Sequence, residues 1–113
     1  MIKIYHNSRC SKSRCGLEIL EQSGKPFEIV KYLDDTLSAK AIKDIIKLLG
    51  IKPIDLVRKN EVIWKEKFKN KTLTDTEIIN VMVENPKLIE RPIIINGNKA
   101  VIGRPPELIL DII

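Results

Sequence analysis

The first thirty-two residues change their apolar period twice. Ile2 and Ile4 alternate with Lys3 and Tyr5, the spacing of a strand, which predicts one over residues 2–6. Leu17, Ile19 and Leu20 then read as a helix that Gly24 and Pro26 bring to a stop. FEIVKY, residues 27–32, predicts a second strand. Strand, helix and strand in that order make a parallel pair joined by a crossover helix.

The middle of the chain has a helical period. Ser38 is placed as an N-cap, with Leu37 and Ile42 spaced as a hydrophobic staple. Ile42, Ile45, Ile46 and Leu49 share one face, and Gly50 ends that helix. A short helical turn starts at Pro53 and carries Leu56 and Val57. Thr74 and Glu77 form a capping box ahead of Ile78, Ile79 and Met82, and Asn85-Pro86 stops the run. Two strands follow, Ile93–Ile95 and Ala100–Ile102, around a tight turn at Asn96-Gly97. Pro105-Pro106 opens a final helix over Glu107–Ile112. The order βαβ, helices, ββα predicts an α/β, thioredoxin-like fold with a mixed four-stranded sheet. It is expected as one domain, 1–113, with a helical insertion at about 37–86 between the halves.

Composition narrows the partners. The chain has 113 residues, 43% of them hydrophobic and 31% charged, the make-up of a globular protein with a real core. No apolar run approaches the roughly 18 residues of a membrane span. The chain opens directly on a strand pattern, so no targeting segment is expected. Two cysteines without a secretory segment point to a reducing cytoplasm. The net charge of +5 suits nucleic acid, a membrane surface or a small anion. The densest cationic stretch, Lys65–Lys71, reads as a solvated helix end. Neither a nucleic-acid nor a membrane partner is expected, which leaves the small anion.

YHNSRCSKSRCG, residues 5–16, concentrates the chemistry. Cys10 falls where the first strand ends and the first helix begins. The free N–H groups and partial positive charge of a helix start favour a thiolate, and Arg9, Lys12 and Arg14 add to that field. The same N–H groups suit an oxyanion, so nucleophile and anion site coincide. Cys15 reads as a core residue. Five helical positions put two Cα atoms roughly 8.6 Å apart, beyond the ~7 Å reach of a disulfide. No second Cys/His cluster exists to complete a metal site, so no metal is expected. A phosphatase loop would need Cys-x5-Arg, whereas only three residues separate Cys10 and Arg14. His6 fits two roles equally, tuning the thiolate or simply hydrogen-bonding at a strand end.

Four separated motifs, YHNSRCSKSR, LVRKN, IERPIII and IGRPPELILDI, resemble in order and spacing the glutaredoxin-coupled arsenate reductase family (ArsC type). The resemblance runs from Met1 almost to Ile113. It implies an oxidoreductase in which Cys10 attacks arsenate and forms a thiol–arsenic adduct. Glutathione, a co-substrate rather than a bound cofactor, then attacks the adduct, and glutaredoxin helps to resolve the mixed disulfide as arsenite leaves. Arg58, Arg91 and Arg104 match the family's oxyanion-binding arginines. Arginine suits that role because its fork makes two parallel hydrogen bonds to an oxyanion. Pro92 matches the cis-proline of thioredoxin-like folds; His6, Ser13 and Arg14 stand as supporting residues, and a monomer is expected. Ser8 departs from the proline often found in the HNP motif. Two other functions stay open: a thiol reductase of this type with a different substrate, and an Spx-like redox regulator that binds RNA polymerase. The usual switch of the latter is a CxxC pair, and Ser13 occupies its second position.

Overall fold

A computed structural model describes all residues from Met1 to Ile113. The chain forms two compact units, one of residues 1–35 with 91–113 and one of residues 36–90.

In the first unit, β1 (Ile2–Tyr5) leads into α1 (Ser11–Ser23) and β2 (Phe27–Val30). It is completed by β3 (Ile93–Asn96), β4 (Lys99–Ile102) and a 3-10 helix over Pro106–Asp111. The sheet order is β2-β1-β3-β4. β1 runs parallel to β2 and antiparallel to β3, and β3 and β4 form an antiparallel hairpin. This is the mixed, thioredoxin-like sheet expected from the element order. The period-2 pattern has its physical outcome in Ile2 and Ile4, which join Leu20, Ile94 and Ile109 in one buried cluster. Each such side chain contributes about 1.5–3 kcal/mol of burial.

Three local readings change. The hairpin loop is Gly97-Asn98, because Asn96 pairs with Lys99 inside the ladder. Gly97 carries the positive φ of +63°, as the first position of a two-residue hairpin loop often does. The last helix is 3-10, closed by N–H bonds from Leu108 to Pro105 and from Ile112 to Ile109. A six-residue run behind two prolines has few N–H groups to sustain α-helical bonding, and short 3-10 turns serve such ends. The first two strands are shorter than predicted, although a bond from His6 N–H to Val30 C=O (2.9 Å) carries the β1–β2 pairing one step further.

The second unit contains α2 (Ala39–Leu49), a 3-10 turn at Pro53–Leu56, α3 (Val62–Lys67), α4 (Asp75–Glu84) and a 3-10 turn at Pro86–Leu88. The Ser38 hydroxyl accepts the Ala41 N–H, and Gly50 closes α2 on Ile46. Thr74 and Glu77 form the reciprocal capping box of α4. The hydrogen bonds from Thr74 hold the Glu77 carboxyl below the usual carboxylate range. Ile42, Ile45 and Ile46 of α2 and Ile78, Ile79 and Met82 of α4 are buried. Val57 lies just beyond its helical turn and pairs with Ile89 in an isolated antiparallel bridge. The cationic stretch is solvated: α3 ends at Lys67, and Lys65, Lys67, Lys69 and Lys71 are exposed.

Candidate active site

β1 delivers the chain to α1 through a four-residue loop, His6–Arg9, that its own hydrogen bonds hold rigid. The Asn7 C=O accepts the Cys10 N–H at 3.0 Å, and the Asn7 Oδ1 accepts the Arg9 N–H at 3.0 Å. Arg14 Nη1 reaches back from the first turn of α1 to the Ser8 C=O at 2.9 Å. Cys10 is the N-cap of α1, with extended backbone (φ −96°, ψ 123°), and its C=O accepts the first helical bond from Arg14. No side-chain cap satisfies this helix start, and no acidic residue stands in its first turn. The terminal N–H groups and the helix dipole are therefore available to an anion beside the sulfur.

His6 and Ser13 brace the loop from inside. Both are buried, and His6 Nδ1 lies 2.7 Å from Ser13 Oγ. The same oxygen accepts the Asn7 N–H at 3.0 Å, which leaves its proton for Nδ1 of a neutral ring. Burial holds His6 below its ordinary pKa; a hydrogen bond with the Ser13 backbone opposes this, while the Lys31 and Arg14 charges reinforce it. The side chain hydrogen-bonds as a strand-end histidine does, and through Ser13 and Asn7 it shapes the loop that carries Cys10.

Of the three predicted arginines, Arg104 reaches the Cys10 sulfur, and Arg91 joins it through its backbone carbonyl. Arg104 Nη2 donates to Cys10 Sγ at 3.7 Å, and Arg104 Nε donates to the Arg91 C=O at 2.7 Å. Hairpin register explains the meeting. Ile93 pairs with Ile102, so continuing the ladder outward sets Pro92 beside Gly103 and Arg91 beside Arg104. The Gly103 N–H donates to the Pro92 C=O at 2.8 Å. The Arg91–Pro92 bond is cis, as is Arg104–Pro105. Two glycines make room for Pro92: a Cβ on Gly16 would stand 3.0 Å from its Cγ, and one on Gly103 only 2.9 Å. Arg58 belongs to the second unit. Its guanidinium pairs with Glu61 and, at 3.5 Å, with Glu90, and the Val57–Ile89 bridge sets Arg58 and Glu90 in register.

Cys15 overturns its expectation, being exposed; both thiols are free. The buried row of α1 is Ser13, Gly16 and Leu20, and Cys15 lies one position off it. Small residues occupy the first two positions of that row because His6 and Pro92 fill the space, so the first half of the inward face, beside Cys15, carries no apolar signature. Asn7, Gly16 and Gly103 were missed as site residues. A polar Asx-type residue just before a helix start was the one local signal, for Asn7.

The molecule gathers no group of three or more potential metal ligands, and no helix is long and apolar enough to cross a membrane. A model of the ArsC family matches residues 5–112. An uncharacterized protein of Escherichia coli K12, YfgD, is 44% identical over 99% of this chain and 96% of its own length. A Haemophilus influenzae protein named arsenate reductase is 42% identical over 97% of each chain. The solved structure of an arsenate reductase from Vibrio cholerae superposes with a TM-score of 0.94 at 38% identity, covering 99% of this chain and 97% of that one.

Proposed function

The chain belongs to the ArsC family, and from that premise we propose that it is an arsenate reductase with Cys10 as nucleophile and glutathione with glutaredoxin as the external reductant. One observation carries the reading: the Cys10 sulfur stands at an uncapped helix start with the Arg104 guanidinium 3.7 Å away. A thiolate and the oxyanion it attacks need the same surroundings, cationic donors and unfilled N–H groups. The names of the Haemophilus and Vibrio relatives support arsenate as that oxyanion.

In the first step the thiolate attacks arsenic(V) and hydroxide leaves, which forms an S–As bond. Arg104, anchored on the Arg91 carbonyl, neutralises charge on the arsenate oxygens as that bond forms. Arg91 is the further oxyanion ligand of this unit in this reading. A glutathione thiolate then attacks the Cys10 sulfur. An S–S bond forms, the S–As bond breaks, and its electron pair stays on arsenic, which departs as arsenite. A glutaredoxin thiol removes the glutathionyl group from Cys10 and returns the thiol.

The test is arsenate-dependent NADPH oxidation coupled through glutathione, glutaredoxin and glutathione reductase. Turnover that Cys10→Ser abolishes is expected. No arsenate-dependent rate, with the variant indistinguishable from wild type, would overturn the reading.

A further inference from the structure

The loop before α1 and the segment after β2 enclose a cavity of about 360 Å3. Asn7, Ser8 and Arg9 line it from one segment, and Lys31, Leu33 and Asp34 from the other. Both segments leave the carboxyl ends of adjacent parallel strands, where open α/β sheets bind their ligands. The walls are fixed before anything enters. The His6 N–H to Val30 C=O bond ties the segments together, and the Lys31 C=O accepts the N–H groups of Asp34 (3.0 Å) and Asp35 (2.9 Å). Lys31 and Asp34 thus sit on one turn, facing a loop pinned by the Asn7 side chain.

The charges around this cavity describe an occupant. Arg9, Lys31 and Asp34 stand outside the ion pairs that Arg58 makes with Glu61 and Glu90. Two cations and one carboxylate answer a ligand with two carboxylates and one ammonium. A bare oxyanion fits poorly, since Asp34 would repel it and the cavity is several times its size. We propose that this cavity docks the reducing thiol, a γ-glutamyl-type tripeptide of the glutathione class with a thiol on its middle residue. This rests on the reading of the chain as a thiol-dependent reductase.

The sheet order supports the assignment. β1, which leads into Cys10, has β2 on one side and β3 on the other. The cavity lies on the β2 side, whereas Arg91 and Arg104 come from the β3–β4 hairpin. Displacement at sulfur needs the incoming thiolate and the departing arsenic on opposite sides of the sulfur atom. A thiol held on the β2 side and an oxyanion held on the β3 side meet that demand. The wall loop ends on the nucleophile itself, through the Cys10 N–H to Asn7 C=O bond.

Steady-state kinetics and a binding titration test this together. In Lys31→Glu, KM for glutathione should rise about fivefold, the upper end for an exposed ion pair, while KM for arsenate stays within about twofold. Asp34→Lys should raise KM for glutathione but not for a glutathione analogue lacking the α-amino group. Unreactive S-methylglutathione, titrated into the 15N-labelled protein, should shift the amides of Arg9, Lys31 and Asp34. Unchanged KM values in both variants, or amide shifts confined to other segments, would overturn the docking site and leave the arsenate reading standing. S-methylglutathione shifts at these amides with no arsenate turnover would support the cavity and sink the arsenate reading alone.

Discussion

Helices α1 and α4 begin in opposite ways. α4 starts behind a reciprocal Thr74–Glu77 box, with Asp75 and Glu77 in its first turn complementing the helix dipole. α1 starts behind a cysteine that caps nothing, with Lys12 and Arg14 in the turn where the dipole favours acids. Every choice at α4 stabilises the helix. Each corresponding choice at α1 costs helix stability and leaves positive potential beside a sulfur atom. The contrast separates a helix start closed by its own side chains from one left without a side-chain cap or an acidic first turn. In α1 the support comes from elsewhere, from Leu20 in the sheet core and from the contact of Gly16 with Pro92.

The sharpest way to break this contrast is to cap α1. Cys10→Ser supplies a strong N-cap residue at a backbone already extended for it. Arsenate turnover should fall to background while stability to urea rises by roughly 0.5–1 kcal/mol. A loss of both would mean that the sulfur is also needed for packing. Next in size, Arg104→Lys keeps the charge but removes the fork that spans Cys10 and the Arg91 carbonyl. Its kcat/KM for arsenate should drop about 100-fold, as when one oxyanion donor is lost. On the other side of the comparison, Ser38→Ala should cost about 1 kcal/mol in urea unfolding and leave kcat/KM unchanged. Lys12→Glu corrects the dipole of α1, so it should gain about 0.3–1 kcal/mol and slow the reaction. The smallest effect is on pH. Burial keeps His6 neutral in the folded chain, below its ordinary 6.5. The unfolded chain therefore binds the extra proton first, and the stability contributed by the neutral ring, complete above 6.5, is lost as pH falls through the folded value. A Tm series from pH 7.5 to 5 should show that fall in the wild type and a flatter profile in His6→Gln.

What was legible in the sequence was local. Ser38, Thr74 with Glu77, and Gly50 act on backbone groups within a turn of themselves, so their patterns carried over to the structure directly. The alternation of Ile2 and Ile4 fixed which side of β1 faces inward. Cys10 was readable because a strand pattern ends and a helix begins around it. Cys15 was misread because the first half of the inward face of α1 is written in serine and glycine, which look polar or neutral until His6 and Pro92 are seen against them. The contact of Arg91 with Arg104 depends on hairpin register, and the loop was read one residue too early. Arg9 was legible only as part of the field at Cys10, and Lys31 and Asp34 carried no local signal, since only the parallel pairing of β1 with β2 brings the three to one cavity.

The two-residue loop at Gly97-Asn98 has a consequence for how such a chain can change over generations. Arg91 and Arg104 face each other only because the arms of the hairpin are of equal length. Residues inserted or deleted between β3 and β4 would slide Arg104 along the ladder, and a slip of one residue would turn its side chain to the other face of the sheet. Substitutions on the hairpin can accumulate, but a change in its length breaks the link from Arg104 to the Arg91 carbonyl and to Cys10 without touching an arginine.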